Sequence, residues 1–310
     1  MLNPNDPSKA SNSETPATTS LQPMGFTDIL DSIFSLYRNN FQLFLRICAV
    51  YFVFNCVLSL MAGIVPLLLL SSSEPSMMEA ILGLVFAILV LVVLVLGILA
   101  SFVVTLFAVG GLTFASAQTY LGRHISARTA FRQVKRRFWP FLGGNLLWLL
   151  VVGALAVTII GIPFAIYFGT RWVFWSLAIL VEEHSVTNAL RRSGELVKGT
   201  WWRVFGIMLG ILLLAFMIQS ILQFSLLFVF GVSQSTSGEG DLLTTLKQMF
   251  LPELTAWAGL VRFAVQNVIN NLVASLMLPV YLIGAVLLYY DSRIRKEGFD
   301  IEMRVSNDVV

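Results

Sequence analysis

The chain has 310 residues, of which 57% are hydrophobic and only 12% charged, with a formal net charge of +3 and a mean hydropathy of +0.83. Soluble domains carry about twice that share of charge, roughly 25%. A water-exposed globular fold of this length is excluded, because too little polar surface exists to cover its core.

The first 24 residues are rich in Ser, Thr, Pro and Asn and read as a disordered tail. They lack the charged leader and apolar core of a signal peptide. A bilayer crossing takes about 20 mostly apolar residues, since the hydrocarbon layer is about 30 Å thick and a helix rises 1.5 Å per residue. From 25 to 292 the chain reads as one membrane domain with six such stretches, followed by a cytoplasmic tail over 293–310.

In chain order, an amphipathic segment comes first, with Phe26, Ile29, Leu30, Ile33, Phe34 and Tyr37 on one helical face. It leads into a span over about 45–70, which contains both cysteines, Cys48 and Cys56. That pair reads as apolar packing, with neither a disulfide framework nor a metal-ligand spacing. A loop without basic residues, SSSEPSMMEA, precedes a second span over 81–120. This stretch exceeds one crossing, and Gly110 and Gly111 are candidate bend sites.

A second amphipathic segment aligns Ala127, Ala130, Phe131, Val134 and Phe138 and enters a third span over 141–160. Gly161-Ile162-Pro163 then predicts a tight turn into a fourth span over 164–181, because one rod would carry Gly and Pro in its middle. A third amphipathic segment, with Val186, Ala189, Leu190, Leu196 and Val197 on its apolar stripe, enters a fifth span over 204–230. After a loop whose only basic residue is Lys247 comes the sixth span, 264–290, with Pro279 as a further bend site.

The chain therefore reads as an all-α membrane protein built as three helical hairpins, each preceded by an interfacial amphipathic helix, an internal repeat of the kind common in membrane folds. Thr27, Ser126 and Ser185 stand where N-caps would serve, and Phe41, Trp139, Trp201 and Trp202 suit the water–lipid boundary. Basic residues cluster in Arg123–Arg137, in Glu183–Arg203 and after Asp291, alternating with the basic-poor loops. The positive-inside rule then predicts both termini in the cytoplasm and an inner-membrane location, with the basic helix faces toward anionic inner-leaflet headgroups.

Two patches are more specific. One runs from Glu182 through Ala189, Arg192, Ser193, Leu196 and Gly199 to Arg203; the other from Leu288 through Tyr289, Tyr290, Asp291, Arg293, Glu297 and Gly298 to Asp300 and Glu302. Together they resemble the glycerophosphoryl diester phosphodiesterase membrane-domain family of multi-span prokaryotic proteins. That family takes its name from members fused to a soluble catalytic domain. The resemblance implies a membrane module and does not imply phosphodiesterase activity; its motif residues Glu182, Ala189, Arg192, Ser193, Gly199, Asp291, Arg293, Glu297, Gly298 and Asp300 are expected to be structural.

Catalytic chemistry finds little to work with. The histidines are His124 and His184, both in basic loops, and Glu182, Glu183 and His184 are consecutive, so on a helix they fan out and do not converge on a metal. Nucleophile-elbow, HExxH, Walker and dinucleotide motifs are absent. The expectation is a protein with no catalytic residues, cofactor or metal.

Polar groups inside the spans offer more. Arg171 lies about 10–12 Å along the fourth helix from its outer end, and an intramembrane Arg costs roughly 2.5–3.5 kcal/mol unless it finds partners or water. Arg262, Gln266, Asn270 and Asn271 descend the sixth span, and Gln219 and Gln223 lie in the outer half of the fifth. By depth, Arg171 and Asn270 or Asn271 meet. Either these residues line an outward-facing polar cavity for an anion or lipid headgroup, or they are interhelical hydrogen bonds. Glu182 is expected to pair with Arg191 or Arg192, and Asp291 with Arg293 or Arg295, locking helices or presenting a docking surface.

The function these features predict is a non-catalytic membrane module, accessory or scaffold, with a transporter or lipid- or anion-handling protein as the alternative. Its partners are the bilayer and a membrane protein or a second copy of itself; nothing points to nucleic acid.

Overall fold

The computed structural model describes residues 24–69, 77–229 and 257–298. The N-terminal tail, the basic-poor loops up to residue 76 and over 231–252, Asp300 and the side chain of Arg262 lie outside the described residues. All regular structure among those described is helical: α1 (Phe26–Asn39), α2 (Phe41–Leu69), α3 (Met77–Tyr120), α4 (Ala127–Arg136), α5 (Phe138–Ala156), α6 (Ile162–Arg171), α7 (Trp175–Leu180), α8 (Val186–Val197), α9 (Trp201–Val229) and α10 (Trp257–Glu297).

Six stretches are long and apolar enough to cross a membrane: Phe41–Met61, Gly83–Tyr120, Phe138–Ala156, Ile162–Leu180, Trp201–Leu226 and Phe263–Glu297. Their outward faces are apolar as well. Along α3, Leu84, Leu89, Leu96 and Ile98 stand exposed, Ile98 by 63%. A run of that kind facing water would oppose folding; lipid satisfies it.

The core gathers around the C-terminal half of α10. Ile283, Leu287, Tyr289 and Tyr290 are fully buried there, with Ile29 and Ile33 of α1, Phe44 and Ile47 of α2, Leu112 of α3 and Val204 of α9 in the same cluster. A second cluster sets Phe141 of α5 against Trp175 of α7, rings stacked at 5.3 Å, with Val134 of α4 and Ala189 of α8 beside them. The short helices α1, α4 and α8 thus bury their apolar residues against the same end of the bundle.

Several expectations are corrected in detail. α3 is unbroken through Gly110 and Gly111, which give room to α4, whose Val134 and Phe131 side chains stand close to where their Cβ atoms would be. Thr27 lies inside α1, whose first turn is held by Asp28 accepting from the Gly25 N–H at 2.8 Å. Ser126 caps α4 through the Thr129 N–H at 3.2 Å, whereas Ser185 occupies the cap position of α8 without a side-chain bond. The third span ends at Ala156, and residues 157–161 form the turn, where Thr158 Oγ1 accepts from the Gly161 N–H at 3.0 Å. Pro279 removes a donor from the middle of α10, and three residues before it the Leu276 carbonyl accepts from the Tyr37 hydroxyl at 3.0 Å.

The largest correction concerns the fourth span. It is two helices, α6 of 10 residues and α7 of 6, broken at Trp172, Val173 and Phe174. Alone, α6 rises about 15 Å, half the hydrocarbon thickness. Arg171, the last residue of α6, lies against Gly194 of α8.

Candidate functional site

The end of the bundle where α8 lies is where charge converges. The loop after α7 holds Glu182 and Glu183, and Glu183 adopts a φ of 60°, a conformation uncommon for any residue but Gly. The two carboxylates serve different helices as a result. Glu182 accepts from Arg192 on α8, at 3.0 Å from Nε and 3.1 Å from Nη2, and from the Tyr289 hydroxyl on α10 at 2.6 Å. His184 Nε2 lies 3.3 Å and Arg293 Nη1 3.6 Å from it. Arg192 also donates to both oxygens of Glu297, from Nη2 at 2.8 Å, and Arg293 Nε donates to Glu297 at 3.1 Å.

Two acids and two cations therefore alternate in a ring across the α7–α8 loop, α8 and α10. Burial pushes the Glu182 carboxyl up, but hydrogen bonds from Arg192 and Tyr289 and the nearby guanidiniums outweigh it and hold it below its ordinary value. Hydrogen bonds to Glu182 and Glu297 hold Arg192 above its own. Glu183 turns the other way, to Arg136 and Arg137 and to Gln133 Nε2 at 3.2 Å, so that α4 is tied to the same loop. Gln133 also donates to the Leu180 carbonyl at 3.1 Å.

A second charged group sits at the head of α9. Asp291 is fully buried and accepts from Arg203 Nη1 at 2.5 Å, Arg295 Nε at 3.0 Å and the Met24 N–H at 2.8 Å. The Met24 carbonyl accepts in turn from Arg203 Nη2 at 2.9 Å and Arg295 Nη2 at 3.0 Å. Burying a carboxylate is costly unless it is paired; here three donors surround it, and both backbone polar groups of Met24 are held.

Ser193 closes the break in the fourth span. Its hydroxyl accepts from the Phe174 N–H at 3.1 Å and donates to the Arg171 carbonyl at 2.9 Å. These backbone groups flank the interruption, where the α-helical ladder lapses. Gly199 and Gly298 end α8 and α10 with φ of +82° and +62°, left-handed values that a side chain would strain. Ala189 is fully buried.

A family model described as a domain of unknown function (DUF7847) matches residues 151–289. No curated protein and no solved structure matches the chain. The matched stretch contains Glu182, Arg192, Ser193, Arg203 and Tyr289 and ends two residues before Asp291.

The polar residues of the spans fall elsewhere than expected. Arg171 does not meet Asn270 or Asn271. Its side chain lies exposed over Gly194 of α8, within 3.1 Å of where a Cβ would stand, with the Tyr167 hydroxyl 3.5 Å from Nη1. The physical reason is packing: α6 lies against α5, α8 and α9, so Arg171 at its end meets Gly194 of α8 rather than the amides of α10. Asn270 accepts instead from Gln223 Nε2 at 2.8 Å, joining α9 to α10, and Asn271 Nδ2 donates to Ser59 Oγ at 3.3 Å, joining α10 to α2. Gln219 and Gln266 are half-buried.

Arg191, one of the two partners expected for Glu182, pairs with Glu195 instead; of the two expected for Asp291, Arg295 pairs with it at 3.0 Å, and Arg293 serves Glu182 and Glu297. Sequence reading missed Arg203 as the partner of Asp291 and Met24 as its backbone guest. The available signal was a cation in the first turn of an apolar helix, which requires a counter-charge nearby. Among the described residues no group of three His, Cys, Asp or Glu side chains is placed to hold a metal ion.

Proposed function

We propose that this chain is a non-catalytic module of the cytoplasmic membrane, an accessory or scaffold protein whose polar groups hold helices together. In this reading both termini are cytoplasmic, α1, α4 and α8 are interfacial helices with their charged faces toward anionic headgroups, and each opens one copy of a threefold hairpin repeat. Kinship with the glycerophosphoryl diester phosphodiesterase membrane domain belongs to the same proposal, as does assembly with a membrane protein or a second copy.

The observation that carries it is mutual satisfaction. The acids of the charged end, Glu182, Glu183, Glu297 and Asp291, are each engaged by cations from another element. Gln223, Asn270, Asn271 and Ser59 spend hydrogen bonds on one another across three helices. Acids and amides engaged in this way have little left for a substrate.

One observation favours the alternative of a transporter or anion-handling protein: the broken fourth span, since interrupted helices expose backbone groups that bind ligands. Ser193 takes up both of the groups it reaches there, which weighs toward the scaffold.

Cysteine accessibility separates the two. In a chain with Cys48→Ala and Cys56→Ala, new thiols at Ser59→Cys and Asn270→Cys should resist membrane-impermeant maleimide from either face until the protein is denatured. Rapid labelling of either thiol in intact vesicles would establish an open polar path and overturn the scaffold reading.

A further inference from the structure

The first turn of α9 borders an open cavity of about 430 Å³ whose walls include Phe26, Trp202, Arg203, Gly206, Ile207 and Arg295. A neighbouring hollow of about 480 Å³ shares Trp202 and Arg203. Small-molecule sites fall in the range of about 300–1,000 Å³.

The walls differ in chemistry with depth. Arg203 is the third residue of α9 and Arg295 lies in the last turn of α10, so both guanidiniums stand at the mouth of the bundle. Gly206 and Ile207 follow one turn deeper, about 5 Å along the axis. Trp202 is 78% exposed, and nothing lies within 4 Å of where a Gly206 Cβ would be, leaving an apolar groove beside the cations.

The charges do not cancel. Arg203 and Arg295 share one carboxylate, Asp291, so these three groups together carry one net positive charge. Each guanidinium has five N–H donors, of which Asp291 and Met24 take only part. Guanidinium forks match phosphate oxygens.

We propose that this cavity binds one anionic phospholipid, its phosphate on Arg203 and Arg295 and an acyl chain along Trp202, Gly206 and Ile207. The proposal rests on the bilayer location and deepens the headgroup contact already inferred; it does not depend on the choice between scaffold and transporter. A soluble phosphate would use the arginines and leave the apolar groove wet, whereas a lipid fills both.

Native mass spectrometry tests it on the full chain in mild detergent, titrated with phosphatidylglycerol, with phosphatidylcholine, and with glycerol 3-phosphate as competitor. One phosphatidylglycerol per chain should be retained about tenfold better than phosphatidylcholine, a difference of about 1.4 kcal/mol. Excess glycerol 3-phosphate should not displace it. Gly206→Leu, which fills the groove and leaves the ion pairs in place, should cut retention by about tenfold, again about 1.4 kcal/mol.

Displacement of phosphatidylglycerol by glycerol 3-phosphate would overturn the proposal while leaving the general headgroup contact standing. Many phosphatidylglycerols retained per chain, salt-sensitive and indifferent to Gly206→Leu, would sink the site while sparing the general headgroup contact. Absence of any preference for the anionic lipid would bring both down.

Discussion

Ser193, on α8, donates its hydroxyl proton to the main-chain carbonyl of Arg171, where α6 stops, at 2.9 Å. The same oxygen accepts from the Phe174 N–H at the start of α7. One buried hydroxyl thus replaces ladder bonds at both sides of a helix break. Ser193→Ala leaves a buried donor and acceptor unmet, a loss of about 1–3 kcal/mol. The thermal midpoint in detergent should fall, and the Phe174 amide should exchange with solvent faster. An unchanged midpoint and unchanged exchange would show that the break is held by packing alone.

Acid should loosen the charged end. The folded-state pKa of Glu182 is lowered from the ordinary value of 4.5, so its contribution is complete above that value and is lost as pH falls through the lower, folded one. Unfolding midpoints measured from pH 7 downward should hold steady and then drop below about 4.5. Glu182→Gln should flatten that drop while lowering stability at neutral pH. A variant whose acid profile matches that of the native chain would remove Glu182 from the account.

The amide pair at the other end of the bundle predicts a modest and coupled effect. Gln223→Leu or Asn270→Leu alone should cost about 0.6–1.7 kcal/mol, the range for interhelical polar contacts in membranes. The double variant should cost less than the sum, because no amide is then left without its partner. Additive losses would place the two residues in separate environments.

Gly199 offers a backbone test. At a φ of +82°, Gly199→Ala should cost about 1–2 kcal/mol through left-handed strain. In the control, Gly206→Ala, the methyl meets open space inside a helix, so the change should be neutral or stabilising by up to about 1 kcal/mol. Equal effects at both positions would mean that the turn from α8 into α9 can relax.

The spans were legible because hydropathy and length are properties of contiguous residues. The stretches around Phe41–Met61, Trp201–Leu226 and Phe263–Glu297 announce themselves by composition. Glu182 with Arg192 was legible too, both belonging to one short motif after the fourth span. The break at Trp172–Phe174 was not. No Gly or Pro marks it, and what permits it is a hydroxyl nineteen residues away in sequence. Arg171 was misplaced because depth along a helix does not say which neighbour its side chain faces: α6 packs on α5, α8 and α9, and Arg171 meets Gly194 of α8. Asp291 with Arg203 was missed because their 88-residue separation is closed only by the packing of α9 on α10.

The central claim is that these charges act as a lock joining α8, α9 and α10. Its most direct test is a double-mutant cycle on unfolding free energy in detergent, with Asp291→Asn and Arg203→Gln. Asp291→Asn alone should cost about 3–5 kcal/mol, since it strips the buried counter-charge from two arginines. A lock predicts that the double variant is more stable than the sum of the single losses by at least about 1 kcal/mol. Losses that add within about 0.5 kcal/mol would contradict it, reducing the Arg203–Asp291 pair to a contact without energetic consequence.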